Sequence, residues 1–317
     1  MTADLDIHLA SDEELREAHA NVHDVWHMGL PLEAHIERRL TAPHHRRATW
    51  IVGCLDRRVV CCLGLHPLEF RVSGQVVPSV GVASVHTLAE FRGRGFAPNL
   101  IAWAEDHARS RGVQLSVLFS DVKPAYYQRM GYLLVPAHRG ELTVADHLAA
   151  AQERLDETRP RIEPLAAQSH IETLQRIYNE AHAGDALAIE RDQEYWNYLL
   201  ACGPSDEFLS LCRADESGPF AYARWKVADD ALFVRDLAVA ANSELASVVY
   251  AALVRRAREL DLKRVVGWLP NGAVERRWFD VEPRPIEITM FKPLVSGLHL
   301  SAEHLAAADR LNEIDHV

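Results

Sequence analysis

Arg92-Gly93-Arg94-Gly95-Phe96-Ala97 sits between an apolar, β-branched run at residues 80–87 and a helical stretch at residues 98–110. Glycine takes positive φ readily, so a loop with two of them can aim successive N–H groups at one anion. The helix that follows adds the positive end of its dipole. Two arginines add charge suited to gripping a pyrophosphate. The chemistry implied is capture of a phosphate-bearing cofactor; the alternative is a turn that is merely compact. The glycine spacing differs from the G-x-G-x-x-G of dinucleotide-binding folds. His44-His45 stands beside Arg46-Arg47 with no acidic or cysteine partner at ligand spacing. It reads as a solvated loop, and no metal site is expected.

The elements that must position the loop follow from periodicity and turn chemistry. Residues 6–10 suit a first strand, and Ser11 with Glu14 forms a capping-box pattern that starts a helix through about residue 25. A second helix covers residues 32–40. Residues 49–55 and 59–65 flank Asp56-Arg57-Arg58 as a hairpin, and residues 70–72 and 75–77 flank the tight turn Ser73-Gly74. Residues 113–119 form the strand after the loop and its helix. A helical segment at 144–157 ends before Arg159-Pro160.

Beyond that point the element order begins again. A strand at 161–165 precedes helices at 168–183 and 192–201 and a hairpin of 208–212 with 220–226 about Asp215-Glu216-Ser217-Gly218. A strand at 231–239, a helix at 243–259 and a strand at 264–268 follow. In the tail, Ser301 is placed to cap a helix over 302–311, but His304 stands where a capping box wants an acid or amide.

At 317 residues the chain is long enough for two domains, and 48% hydrophobic content supplies sizeable cores. A formal charge of −11 argues against duplex nucleic acid. It suits cationic small molecules or basic protein tails, or serves solubility alone. Cys54, Cys61, Cys62, Cys202 and Cys212 form no C-x-x-C pair, which suggests reduced, buried thiols in a cytosolic protein. The N-terminus has no apolar signal core, and no run approaches the ~20 apolar residues of a membrane span, so no membrane partner and a cytoplasmic location are expected.

The pattern Arg92-x-x-Gly95-x-Ala97 matches the Arg/Gln-x-x-Gly-x-Gly/Ala signature of the GNAT acetyltransferases. The segment Ala125-Tyr126-Tyr127-Gln128-Arg129-Met130-Gly131-Tyr132 is similar to that family's second landmark, a short helix ending in Gly-Tyr or Gly-Phe. The resemblance implies an α/β fold of two tandem GNAT-like units, each a mixed sheet flanked by helices. The first, residues 1–142, would bind acetyl-CoA; 143–159 would be a helical linker and 296–317 a helical tail. Residues 160–295 would be a degenerate unit. Their loop Ala240-Ala241-Asn242-Ser243-Glu244 has no glycine and no arginine, and Trp278-Phe279-Asp280 replaces the tyrosine landmark. The alternative is a second core of unrelated topology.

Roles follow from the same resemblance. The thioester and pantetheine would pair with the backbone at Val85, His86 and Thr87, and the pyrophosphate with the N–H groups of Arg92, Gly93, Arg94, Gly95, Phe96 and Ala97. Ser120 joins the expected cofactor contacts. Tyr127 stands where aminoglycoside acetyltransferases of the enhanced-intracellular-survival type carry a proton-donating tyrosine; Tyr126 or a water is the alternative. The attacking amine must be neutral, and the base is His86, the carboxylate of Val317, or water. Trp26, His27 and Met28 would line the acceptor pocket or simply pack. The expected reaction is acetyl transfer to a primary amine of a small cationic acceptor, of aminoglycoside or polyamine type. A non-catalytic acyl-CoA sensor is the other reading. The chain lacks the length for that group's third domain, and the resemblance leaves a homo-oligomer open.

Overall fold

The structure, a computed structural model, describes residues 5–213, 218–240 and 243–316. In chain order the first half contains β1 (Asp6–Leu9), α1 (Asp12–Asn21), α2 (His23–Trp26), α3 (Leu32–Thr41), α4 (Pro43–Arg47), β2 (Thr49–Leu55), β3 (Arg58–Val72) and β4 (Gln75–Thr87). It continues with α5 (Phe96–Ser110), β5 (Leu115–Ser120), α6 (Ala125–Gln128), β6 (Leu133–Leu134) and β7 (His138–Thr143). Helix α7 (Val144–Thr158) leads to β8 (Arg161–Pro164), α8 (Ile171–Ala181), β9 (Leu187–Ile189), α9 (Gln193–Cys202), β10 (Glu207–Cys212), β11 (Pro219–Ala228) and β12 (Ala231–Val239). Helix α10 (Ala246–Glu259), β13 (Arg264–Trp268), α11 (Glu275–Trp278), β14 (Asp280–Pro283), β15 (Ile288–Pro293) and α12 (Ala302–Ala307) complete it.

The strands form two mixed sheets, and each is finished by a strand from the opposite half. The first runs β1-β2-β3-β4-β5-β15-β6, with β9 added to β3; the second runs β14-β7-β13-β12-β11-β10-β8. Thus β15 lies between β5 and β6, while β7 lies between β13 and β14. A buried cluster joins the halves, with Phe70, Leu115 and Phe291 of the first sheet against Tyr178, Trp196 and Tyr222 of the second half. Helix α5 turns Leu100, Ile101, Ala104 and Ala108 onto one face of the first sheet, at the spacing that places one helical stripe on a core. Helix α1 covers the other face through Ala18, against Val52 and Cys62.

Strands β3 and β4 are longer than the sequence suggests, where Pro67 and Pro78 break the apolar runs. Both prolines sit in gaps of the ladder. At Pro67 the β2 partnership has ended at Leu65 and β9 joins only from Phe70. Pro78 precedes the first β5 pair at Ser79. A missing N–H therefore costs no hydrogen bond at either place.

The central strands of the two sheets share a device. Strand β4 pairs in parallel with β5 only through Ser79–Val82, and then carries one extra residue against β3 at Ser84, whose φ is 51°. Strand β12 pairs in parallel with β13 through Ala231–Val234, and its extra residue against β11 falls at Arg235. A bulge of this kind bends its strand. Each sheet is thereby split at the carboxyl end of a parallel strand pair.

Three expectations fall partly or wholly outside the described residues: the turn at Asp215-Glu216-Ser217, Ala241-Asn242 in the second loop, and Val317. Among the described residues no helix is long and apolar enough to cross a membrane.

Candidate active site

The glycine loop opens at the split between β4 and β5. A 3-10 turn at Ala89–Phe91 leads to Gly93 (φ 79°) and Gly95 (φ 81°), and Gly95 is the N-cap of α5. A side chain at either glycine would meet open space, so positive φ, not crowding, is what calls for glycine there. Among the described residues nothing accepts from the N–H groups of Gly93 to Ala97, which leaves an anion nest at a helix N-terminus. Arg92 donates from Nε to the Thr87 carbonyl at 2.9 Å, and Arg94 lies over Phe91 at 5.1 Å. Arg94 also donates from Nη2 to the Glu90 carbonyl at 3.4 Å.

Backbone direction along β4 alternates. Leu88 donates its N–H to Val60 of β3, so the backbone groups of His86 also face β3, and those of Val85 and Thr87 face the split. Of the three strand residues expected at the cofactor, Val85 and Thr87 present backbone there. His86 instead presents its side chain on the α1 side, opposite Cys62. Its ring is buried, 3.6 Å from Asp24 Oδ1 and 6.2 Å from the Trp26 ring, with neither nitrogen hydrogen-bonded. Burial pulls its pKa below the usual value, Asp24 opposing and Arg92 assisting. Ser120 ends β5, but its hydroxyl is engaged with the backbone of Val122.

Tyr127 projects from the α6 turn into the core on the α5 face, edge-on to Tyr126 and Tyr132. Burial, with Tyr126 and Asp121 adding to it, pushes its phenol up to about 12. Tyr132 is fully interior and tied to Ser116 at 2.7 Å. Tyr127 and His86 therefore lie on opposite faces of the first sheet.

On the His86 face a cavity of ≈ 250 Å³ opens under α2, α3 and α4, lined by Trp26, His27, Met28, Arg39, His44 and His45 among others. The expected trio of Trp26, His27 and Met28 thus borders a cavity. His44-His45, read from sequence as a solvated loop, does not lie in solvent. Pro43 starts a helical turn that sets His44 Nδ1 3.0 Å from the Tyr198 hydroxyl of α9. Burial draws the His44 pKa down to about 4 and that of His45 well below the usual range. The His44 ring also lies 4.3 Å from that of the fully buried His66, tilted by 32°, a contact that no sequence pattern marked. The trio His8, Glu14 and Cys54 is close enough to hold a metal. However, Glu14 already accepts from Ser11 and pairs with His8, and burial raises the Cys54 thiol to about 11, so these groups satisfy one another.

The second unit treats the equivalent split differently. The tail crosses it, with Asn312 Oδ1 accepting from Leu237 N at 3.2 Å and Asp309 accepting from Asn271 N and His138 N. Asp315 and Asp236 clasp Arg191, which is fully buried beneath the Tyr178 ring. Glu244, at the entry to α10, pairs with Arg277 at 3.0 Å. Ser301 does cap α12, and His304 closes that box by accepting from Ser301 N through Nδ1, a role the sequence reading denied it.

Residues 6–135 match the family of acetyltransferase (GNAT) domains. That stretch of the chain is similar to a GNAT acetyltransferase domain. A GCN5-related N-acetyltransferase from Anabaena variabilis superposes with a TM-score of 0.72 at 16% identity, over 92% of this chain and 73% of its own. Eis1 from Mycobacterium abscessus gives 0.57 at 17% identity, over 92% and 74%. A tandem GNAT protein from the clavulanic acid biosynthesis pathway gives 0.54 at 12% identity, over 92% and 99%. At such identities the likeness is one of fold, and that fold is a tandem GNAT arrangement with a degenerate second unit. No curated protein matches the sequence.

Proposed function

We propose that the chain transfers the acetyl group of acetyl-CoA to a primary amine of a small acceptor, by direct attack in a ternary complex. The observation that carries this reading is the free N–H nest of Gly93 to Ala97 at the mouth of the β4/β5 split. Arg92 and Arg94 hold the pyrophosphate over the start of α5, and Val85 and Thr87 pair with pantetheine. The amine nitrogen attacks the thioester carbon, the C–N bond forms, the C–S bond breaks, and the thiolate leaves with the electron pair.

The acceptor arrives as an ammonium ion, which is the cation that the acidic chain suits. An amine of pKa ~10.4 pays ~4–5 kcal/mol to be neutral at pH 7. His86 is held neutral by burial with both nitrogens unpartnered, so it can take that proton directly or through a water. Tyr127, at about 12, stays protonated. Giving its proton outright to a thiolate of pKa ~8.5 costs roughly 5 kcal/mol, so its contribution is a hydrogen bond to the leaving sulfur.

Single-turnover and steady-state kinetics of Tyr127→Phe test this assignment. The expected result is a kcat lower by roughly 10- to 100-fold with acetyl-CoA affinity unchanged. Equal turnover in the variant removes Tyr127 from the mechanism.

A further inference from the structure

Arg39 is a buried guanidinium without a carboxylate. It is 7% exposed, donates from Nε to His19 Nδ1 at 3.2 Å and from Nη2 to Ser84 Oγ at 3.1 Å, and lies beside the Trp26 and Trp50 rings. Among the described residues no acid pairs with it. The carboxylates of its own helix, Glu33 and Glu37, bind Arg16 on the outer surface, and Asp24 faces His86. An uncompensated buried charge is strongly disfavoured, so a site that keeps one is built for an anion that arrives later.

The cavity that Arg39 borders agrees. Its wall contains Arg38, Arg39, His27, His35, His44 and His45 and no aspartate or glutamate, with Trp26 and Met28 as the apolar side. Such a wall repels a polycation. Arg39 also marks where the anion must sit relative to the chemistry, because its Nη2 holds the bulge residue of β4, one residue before Val85. Two of its five N–H donors are engaged, and the remainder lie on the terminal nitrogens, the edge that grips a carboxylate with two parallel hydrogen bonds.

We infer that the acceptor is an amino carboxylate, bound through its carboxylate by Arg39 and through its apolar part by Trp26 and Met28. Its amine then points past Ser84 toward the thioester. This rests on the transfer reading above and specifies its substrate class: a zwitterion of amino-acid size, not an aminoglycoside or polyamine. The ≈ 250 Å³ of the cavity suits one such molecule.

Two measurements on the full chain test it. In the first, release of the CoA thiol is followed with L-phenylalanine against phenethylamine and with L-tryptophan against tryptamine, pairs that differ by the carboxylate. The acids are expected to be preferred by about 30-fold or more in kcat/KM, a preference falling to within about threefold in Arg39→Met. Arg39→Lys keeps the charge and loses the fork, and is expected to fall between; it also serves should Arg39→Met not fold. Acetyl-CoA affinity is expected to be unchanged in both. In the second, phenylacetate and phenylacetamide are titrated without acetyl-CoA, and the acid is expected to bind at least about tenfold tighter to wild type alone. Better turnover of spermidine or the decarboxylated amines overturns the inference, as does a carboxylate preference that survives Arg39→Met. Arg39-dependent binding of phenylacetate without transfer to any amine sinks the transferase reading and leaves the anion site standing.

Discussion

Strands β4 and β5 part after Val82 and Leu118, and strands β12 and β13 part after Val234 and Gly267. Both splits are opened by a bulge just beyond the last parallel pair, at Ser84 in one sheet and Arg235 in the other. From that common start they diverge. The first leaves the backbone of Val85 without a strand partner, gives the Thr87 carbonyl to Arg92, and sets a glycine loop above them. The second gives its strand N–H at Leu237 to Asn312, pairs Arg235 with Glu313, and anchors the tail through Arg191. A split sheet exposes polar backbone that must find partners. One unit leaves that requirement to a cofactor, and the other meets it with its own chain. The difference explains how the second unit can lose every signature residue of the loop and keep the fold.

The largest way to break this comparison is to remove the tail's anchor. Arg191→Met leaves Asp236 and Asp315 as buried carboxylates facing each other, which should cost on the order of 3–5 kcal/mol in denaturant unfolding. A loss below about 1 kcal/mol means the tail is not held by this cluster. Gly95→Val acts on the first unit alone. No neighbour would clash, but a β-branched residue resists φ of 81°, so stability should fall by roughly 1–2 kcal/mol while acetyl-CoA affinity drops about tenfold or more. Unchanged affinity would show that the loop does not bind the cofactor. Asn312→Ala is the mildest probe. It strands the Leu237 N–H and should cost about 1 kcal/mol, with transfer kinetics unaffected.

Local signals in the sequence carried well into the structure. The strand read at 231–239 coincides with β12, the capping box of Ser11 and Glu14 is present, and the helix before Pro160 is α7. These depend on residues close in sequence. The exchange of β7 and β15 does not: each reads as an ordinary strand, and nothing local tells which sheet will receive it. The continuity of β3 through Pro67 depends likewise on two partner strands ending short of that residue. At the site, the glycine loop was legible because its backbone demand is written in residue type. The histidine-lined cavity was not, because His44, His66 and Arg39 come together only when α3 and α4 fold over β3 and β4. Asn312 looked like any polar tail residue until its side chain met an open strand edge.

Calorimetric titration of the full chain with acetyl-CoA tests the central claim most directly, since it counts sites. One site per chain, abolished or weakened at least about tenfold by Gly95→Val, is the result expected from an open first split and a second one whose strand edge is taken up by the tail. Two sites per chain, or a single site indifferent to Gly95→Val, would contradict it.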